Sequence, residues 1–324
     1  MHADEMMIPR AHEGGAAAND SADPDRAHAA LVELGRALRR TGYVFVTVSP
    51  ATHARVLRRR ALAQDLRDVF GYSRPFEPTM LSESMLALLW QSGRCVADGE
   101  FLRSTVRFST LGAHLFAHAA YPTVDSDAVF FGPDTHRFAA ALMRWTPRAY
   151  RLVDIGCGSG AGGIVVGERV SSLVLADVNP RALELARVNA ELADVAHTEV
   201  VRSDVLASVD GPIDVVVANP PYMLDPGGPT YRNGGGGFGE GLAARIVTEA
   251  LDRLSPGGTL LLYTGSAIVD GRDTFRDAIA PALSHPHAFV AYGELDPDVF
   301  GEQLEAPEYA DVERIAAVLL RVVR

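Results

Sequence analysis

The chain of 324 residues contains no lysine; all 30 of its basic residues are arginine, a matter of composition more than of function. Cysteine is nearly absent too. Cys95 and Cys157 are the two it has, too few and too far apart for a disulfide framework or a zinc site, and they point to a reducing cytoplasm. No window comes near the roughly 20 consecutive apolar residues that a membrane-spanning helix needs. Residues 1–25 mix acids, alanine and glycine without an apolar h-region. That argues against a signal peptide and reads as a disordered tail.

What the chain has in quantity is apolar content: 48% of its residues are hydrophobic, enough for packed cores in two domains of ordinary size. Charge is unevenly spread. Residues 126–324 hold 16 Arg against 27 Asp and Glu, a balance of −11. Residues 26–74 hold 10 Arg against 3 acids, a balance of +7. The acidic part would repel a phosphate backbone, whereas the basic stretch keeps an RNA partner open.

Residues 126–324 read as alternating strands and helices. Leu152–Ile155 and Ser172–Val178 are apolar runs, Pro180–Leu192 is a helix opening on proline, Thr198–Val201 is a weaker strand, and Ile213–Ala218 is apolar throughout, as a strand covered on both faces should be. A helix over Gly239–Leu254 stops at Ser255-Pro256-Gly257-Gly258, and the strand Thr259–Thr264 follows. After a helix near Asp273–Leu283, two late runs, Ala288–Tyr292 and Ile315–Val323, close the sheet as a hairpin. The repetition implies an α/β fold with a mostly parallel, seven-stranded sheet and helices on both faces. Residues 26–125 lack this rhythm: helices over Ala27–Arg40, Thr52–Phe70 and Thr79–Gln91, then strands Val106–Phe108 and His114–Ala117, suggest a smaller, winged-helix-like recognition domain.

The stretch "VDIGCGSG" places Asp154 two residues before Gly156, with Gly158 and Gly160 following at steps of two. Glycines between a strand and a helix let the backbone turn sharply and approach a ligand closely. The spacing differs from the Gly-x-Gly-x-x-Gly of dinucleotide sites. Asp177 ends the second strand, where an acid can accept from both hydroxyls of a ribose. Asp204 closes the third, in "VVRSD", where it can accept from an exocyclic amine of adenine. Three acids at three successive strand ends mark the carboxyl edge of an open sheet, the edge that binds ligands.

In these features the chain resembles the class I S-adenosylmethionine (SAM)-dependent methyltransferases. The stretches "VDIGCGSG", "LADVNPRALELARVNA", "RSD", "DVVVANPPY" and "LSPGGTLLLYTG" stand in family order with family spacing. The resemblance implies a Rossmann-like domain with SAM as cofactor. It implies contacts from Asp154, Gly156, Gly158 and Gly160 to the methionine end, Asp177 on the ribose, and Val178, Asp204 and Val205 around the adenine.

The apolar run of Asp214–Tyr222 ends on Asn219-Pro220-Pro221-Tyr222. Methylating an amide or an exocyclic amine is hard because the nitrogen lone pair is delocalised. A site that accepts hydrogen bonds from the NH2 group directs that lone pair toward the methyl donor. The Asn219 side-chain oxygen and the Pro220 carbonyl suit this role, the two prolines stiffen the loop, and Tyr222 offers an aromatic face to a planar group. Asn219 thereby stands at both the cofactor and the acceptor.

Several families carry this tetrapeptide. Among them the chain is most similar to the protein-(glutamine-N5) methyltransferases of release factors, the HemK/PrmC type. Pro133-Asp134-Thr135 of "VFFGPDTHRFAAAL" matches the segment before the first core strand in that family, and "GLAARIVTEAL" matches its helix after the tetrapeptide through Gly241, Leu242, Arg245 and Ile246. The likeness implies a glutamine side chain of a protein partner as acceptor, with Thr135 among the substrate contacts. His136 and Gly132 depart from the pattern, Tyr263 stands where an acid is usual, and residues 223–240 are a glycine-rich replacement loop. That loop reads either as a mobile lid carrying Tyr231 and Arg232 to the acceptor or as a surface loop. The Arg58-Arg59-Arg60 cluster reads as a solvated helix face, with docking of an acidic or RNA-containing partner as its alternative. His114 and His118 have no third ligand nearby, so partly exposed histidines are expected and no metal. Three other functions stay open: methylation of an rRNA or tRNA base amino group at adenine N6 or guanine N2, a pathway-specific small-molecule enzyme using SAM, and a non-catalytic SAM-binding module.

Overall fold

The computed structural model describes residues 23–123, 125–225 and 231–324. The expected tail at 1–25 therefore lies almost wholly outside the described residues; at its end, Asp23 already caps a helix. Among the described residues four α-helices come first: α1 Pro24–Arg40, α2 Pro50–Leu57, α3 Leu66–Phe70 and α4 Glu83–Gln91. Each starts on a side chain that accepts an otherwise unpaired backbone N–H: Asp23, Ser49, Asp65 and Ser82. Two antiparallel hairpins follow, β1 Cys95–Asp98 with β2 Phe101–Ser104, and β3 Val106–Leu111 with β4 His114–Ala119. The second is the expected one. The first has no sequence signal beyond Gly99 at its turn.

The single helix expected over Thr52–Phe70 is two helices. Arg74, 1% exposed, donates to the carbonyls of Val56 at 2.7 Å and Leu57 at 3.2 Å and to that of Arg60, taking up the open end of α2. Buried Asp68 holds that guanidinium at 3.1 Å and also accepts from Arg60 at 2.6 Å and from Gln64 N at 2.9 Å. Arg58 and Arg59 thus lie beyond the helix rather than on its face. His118 is fully buried, not partly exposed, with its Nε2 at 2.7 Å from the Ser109 hydroxyl.

The remaining elements are α5 Pro133–Trp145, β5 Ala149–Ile155, α6 Ala161–Val165, β6 Val170–Asp177, α7 Pro180–Leu192, β7 Thr198–Arg202, β8 Ile213–Ala218, α8 Gly241–Arg253, β9 Leu254–Val269, β10 Arg272–Asp273, α9 Thr274–Ile279, β11 Phe289–Asp296 and β12 Arg314–Val323. The main sheet runs β11-β12-β9-β8-β5-β6-β7, and β10 pairs with the end of β9. β7, β6, β5, β8 and β9 are parallel; β12 and β11 close one side antiparallel, as the expected hairpin. The strand order reverses at β5, which has β6 on one side and β8 on the other. That switch point is where an open α/β sheet leaves a crevice beyond its carboxyl ends.

Alternation along β8 shows why its sequence is uniformly apolar. Val215 and Val217 join the core under α5, α6 and α7, whereas Ile213, Val216 and Ala218 join the core under α8 and α9. A third core couples the first hundred residues to this sheet domain. Leu31, Leu34, Leu38 and Phe108 pack there with Ala182, Leu185, Val188 and Leu192 of α7. A Cβ on Gly35 of α1 would sit 2.7 Å from a Leu192 methyl, so the two helices approach as closely as glycine allows. Fully buried Asn189 adds a polar tie: it exchanges hydrogen bonds with the Ala117 backbone (2.7 and 2.9 Å) and donates to the Ser159 carbonyl at 2.8 Å. One side chain thereby links β4 to the glycine turn. No helix among the described residues is long and apolar enough to cross a membrane.

Candidate functional site

At the switch point lies a cavity of about 500 Å3. Its lining takes in Asp154, Gly156, Gly158, Asp177, Val178, Asp204, Val205, Asn219, Pro220, Pro221, Tyr222, Thr135, Tyr231 and Arg232. Of the site residues read from sequence, Gly160 alone is off this lining. It opens α6 at φ +77°, and a Cβ there would press on Ile164 (2.9 Å) and Leu175 (3.1 Å). Its task is packing the turn onto the sheet.

The turn itself is shaped to leave room. Gly156 (φ +64°) and Gly158 (φ +55°) take left-handed backbone that favours glycine, and a Cβ on Gly156 would meet no protein atom within 4 Å. The space beside that backbone therefore belongs to the cavity. Asp177 accepts from Gly158 N and Asn179 N, both at 2.9 Å, which fixes its carboxylate at the cavity edge with lone-pair capacity left over. Asp154 is fully buried and accepts from Gly163 N at 2.8 Å. Burial, with the Asp177 charge adding to it against the pull of the Gly163 N–H, raises its pKa to about 7.

Asp204 is more exposed, and both its oxygens meet Arg245 at 2.9 Å, a bidentate pair from α8 that sequence spacing did not reveal. Val205 holds φ +50°, costly for a β-branched residue, and presents an apolar wall together with Leu242 and Ile246. Open backbone beside a glycine turn, three carboxylates at successive strand ends and an apolar wall between them fit an adenosine bearing a charged amino-acid tail. SAM has those parts.

On the other side of the cavity, β8 delivers Asn219 and Pro220. Among the described residues, nothing hydrogen-bonds the Asn219 side chain or the Pro220 carbonyl. Tyr222 turns its hydroxyl to Asp134, which is 3% exposed, and its ring lies edge-on to Phe300 at 6.0 Å. Asp134 also accepts from Tyr263 at 2.9 Å and from Arg137 at 3.0 Å, and Arg137 continues to Asp296 at 2.8 Å. This explains the phenol at 263. A carboxylate there would face buried Asp134 as a like charge, whereas tyrosine donates to it. Burial raises the pKa of Tyr222 well above its ordinary value, with the Asp134 charge adding to it, so the phenol is a donor and not a base. Thr135 lines the cavity, but its hydroxyl accepts from Gly132 N at 3.2 Å, closing the first turn of α5.

The described part of the glycine-rich loop packs under the tetrapeptide. Met223 N donates to the Arg232 carbonyl (2.8 Å), Gly234 N to the Met223 carbonyl (2.9 Å) and Leu242 N to the Gly234 carbonyl (2.8 Å). Residues 226–230 of the expected lid lie outside the described residues. Tyr231 stacks on Phe130 at 5.5 Å and donates to the Thr123 carbonyl at 3.0 Å; Arg232 pairs with Asp225 at 3.1 Å and donates to Gln303 at 2.7 Å. Phe300 and Gln303 come from the stretch between β11 and β12, and Pro50, Ala51 and Thr123 from the first 125 residues. Sequence reasoning missed all five. None sits in a motif, and only the fold brings them to this edge.

The sheet order, the glycine turn and the acids along the carboxyl edge define a Rossmann-like α/β domain with a ligand crevice at its switch point. Residues 135–268 match the family described as the methyltransferase small domain. A release factor glutamine methyltransferase of Deinococcus radiodurans is 34% identical over 124 residues, 35% of this chain and 44% of that one. A ribosomal protein L11 methyltransferase of Thermotoga neapolitana is 39% identical over 99 residues (29% and 37% of the two chains). A ribosomal RNA small subunit methyltransferase C of Chromohalobacter salexigens is 33% identical over 120 residues (37% and 33%). This chain spans half or less of each of these relatives.

Proposed function

We propose that the cavity is the active site of a SAM-dependent methyltransferase whose acceptor is a planar amide or amino nitrogen held by Asn219, Pro220 and Tyr222. The observation that carries this reading is the unused hydrogen-bonding capacity at the end of β8: the Asn219 amide and the Pro220 carbonyl line the cavity and are engaged by no other described residue. Both can accept from one NH2 group, which sets the orientation of its lone pair. Bound SAM supplies an electrophilic methyl group. Asp154 and the turn at Gly156 and Gly158 would hold its amino-acid end, Asp177 its ribose, and Val178, Asp204 and Val205 its base. Tyr222, pinned by Asp134, supports the acceptor plane. No strong base is required, because the nitrogen becomes acidic once alkylated. A purely SAM-binding module would have no use for an unengaged acceptor clamp.

Asp154 gives this reading a pH signature. In the free protein it keeps its proton up to about pH 7. A cationic amino group placed against it must displace that proton at lower pH. SAM affinity measured by calorimetry should therefore rise with pH by about tenfold per unit below 7 and level off above it. The same proton sets a stability trend in the free protein. A carboxyl whose folded pKa is raised stabilises the fold fully below the ordinary carboxylate range, and that contribution is lost as pH climbs to about 7. Asp154→Asn should flatten the binding profile. A profile of unchanged slope in that variant would remove Asp154 from the cofactor site.

For the acceptor, a glutamine side chain of a protein partner leads, supported by the matches at Asp134, Thr135 and Arg245 and by the glutamine methyltransferase relative. An RNA base amino group is second. It is supported by exposed Arg55, Arg58 and Arg59 on and just beyond α2, whose first residues, Pro50 and Ala51, line the cavity. Tritiated SAM incubated with cell extract separates them: label should survive RNase and be lost to protease, and the reverse pattern would overturn the glutamine reading.

A further inference from the structure

Gln303 is part of the cavity wall, and a short circuit of contacts ties it to the tetrapeptide at the end of β8. It lies in a 3-10 turn over Gly301–Glu305, between β11 and β12. Phe300 caps that turn at φ +57°, left-handed backbone that is costly for a bulky side chain. Gln303 N donates to the Phe300 carbonyl at 2.8 Å, and a 3-10 turn brings side chains three positions apart to one side. The Phe300 ring in turn meets the Tyr222 ring at 6.0 Å. From the opposite direction, Arg232 donates to Gln303 Oε1 at 2.7 Å, and the Arg232 carbonyl accepts from Met223 N at 2.8 Å. The circuit therefore runs from Tyr222 through Phe300, Gln303 and Arg232 back to Met223. Phe300, Arg232 and Gln303 all line the cavity, on the side of Asn219 and Pro220.

Donor chemistry fixes how the Gln303 amide is turned. A guanidinium can only donate, so the atom it meets is the amide oxygen. The NH2 group is left over, and among the described residues nothing accepts from it. Asn219 and Pro220 offer the reverse, oxygens that accept. A primary carboxamide carries both complementary groups on one carbon, an NH2 that donates and an oxygen that accepts. The charge of the donor matters as well. A cation against that oxygen would draw the nitrogen lone pair further into the amide and slow its attack on a methyl donor. The Arg232 charge is matched by Asp225 at 3.1 Å, and Gln303 presents a neutral donor instead.

We propose that Gln303 is a specificity residue: its NH2 donates to the carboxamide oxygen of a glutamine side chain whose nitrogen is held by Asn219 and Pro220. This rests on the methyltransferase reading and adds a requirement to it, that the methylated nitrogen shares its carbon with an oxygen that accepts a hydrogen bond. The test compares Gln303→Glu and Gln303→Met in the full chain. Tritiated SAM is the donor and dilute cell extract the acceptor, with and without RNase, and SAM affinity is measured by calorimetry in parallel. Glutamate has the shape of glutamine and accepts from Arg232 at least as well, but it turns the donor into an anion facing the carboxamide oxygen. Methionine loses the donor and the tie to Arg232 without adding charge. Labelling of RNase-treated extract should fall by about tenfold in Gln303→Met and by about 100-fold in Gln303→Glu, with SAM affinity unchanged. A residue that served only to hold Arg232 gives the reverse order, so Gln303→Glu labelling faster than Gln303→Met, or as fast as the wild type, overturns the inference. Label confined to untreated extract would put the acceptor on RNA and overturn the carboxamide assignment. A wild type that binds SAM and labels neither extract would instead sink the methyltransferase reading, and this inference with it.

Discussion

Replacing Asn219 with alanine is expected to leave SAM affinity nearly unchanged and to lower turnover by about 100- to 1,000-fold, the range seen when one preorganised polar group is removed from a reacting centre. Among the described residues the side chain closes no hydrogen bond, so its loss exposes no buried partner there, and Asp154, Asp177 and the glycine turn keep their own bonds. What disappears is the acceptor of an N–H from the incoming nitrogen. Single-turnover rates beside calorimetric SAM titration separate the two effects. Turnover surviving at wild-type speed would remove the clamp role from Asn219, whatever the acceptor proves to be.

The second large effect is expected at Gly239. Its φ of +99° is glycine's territory, and a Cβ there would overlap the Tyr222 carbonyl oxygen. Gly239→Ala must therefore push the tetrapeptide or its own loop aside, at a cost of about 3 kcal/mol from overlap and backbone strain together. Gly235 supplies the control. It also has positive φ, +68°, but a Cβ there meets nothing within 4 Å, so Gly235→Ala should cost only about 1 kcal/mol. Urea denaturation reads the stability difference. Turnover should fall further than SAM affinity in Gly239→Ala, because the displaced backbone carries Tyr222 and not the glycine turn. Equal behaviour of the two variants would mean that the loop does not support the acceptor side.

The glycine-rich stretch shows what composition leaves open. Four consecutive glycines read in sequence as part of either a lid or a surface loop. In the fold, Gly234 and Gly239 are glycine because the backbones of residues 221–223 and 234–239 lie against each other too closely for a side chain. Tyr263 teaches the complementary lesson. As a departure from a family pattern it had no cause in sequence; the fold supplies one in Asp134, 129 positions away along the chain.

The sequence by itself determined the sheet domain and the glycine turn and acids along its carboxyl edge. Those features rest on local rules: uninterrupted apolar runs for strands, proline at the start of α7, glycines where the turn needs positive φ, and acids at strand ends. Short-range signals sit next to one another in the chain and can be read there. Tertiary structure alone decided the break between α2 and α3, which Arg74 imposes from some fifteen residues on, and the tie that Asn189 makes to β4 and the glycine turn. It alone decided the Tyr222–Asp134–Tyr263 cluster and the walls drawn from Pro50, Thr123, Phe300 and Gln303. The physical reason is common to all four. Each is a buried polar group or a wall residue that finds its partner across the fold, and desolvation makes that pairing obligatory without leaving a periodic trace in the sequence.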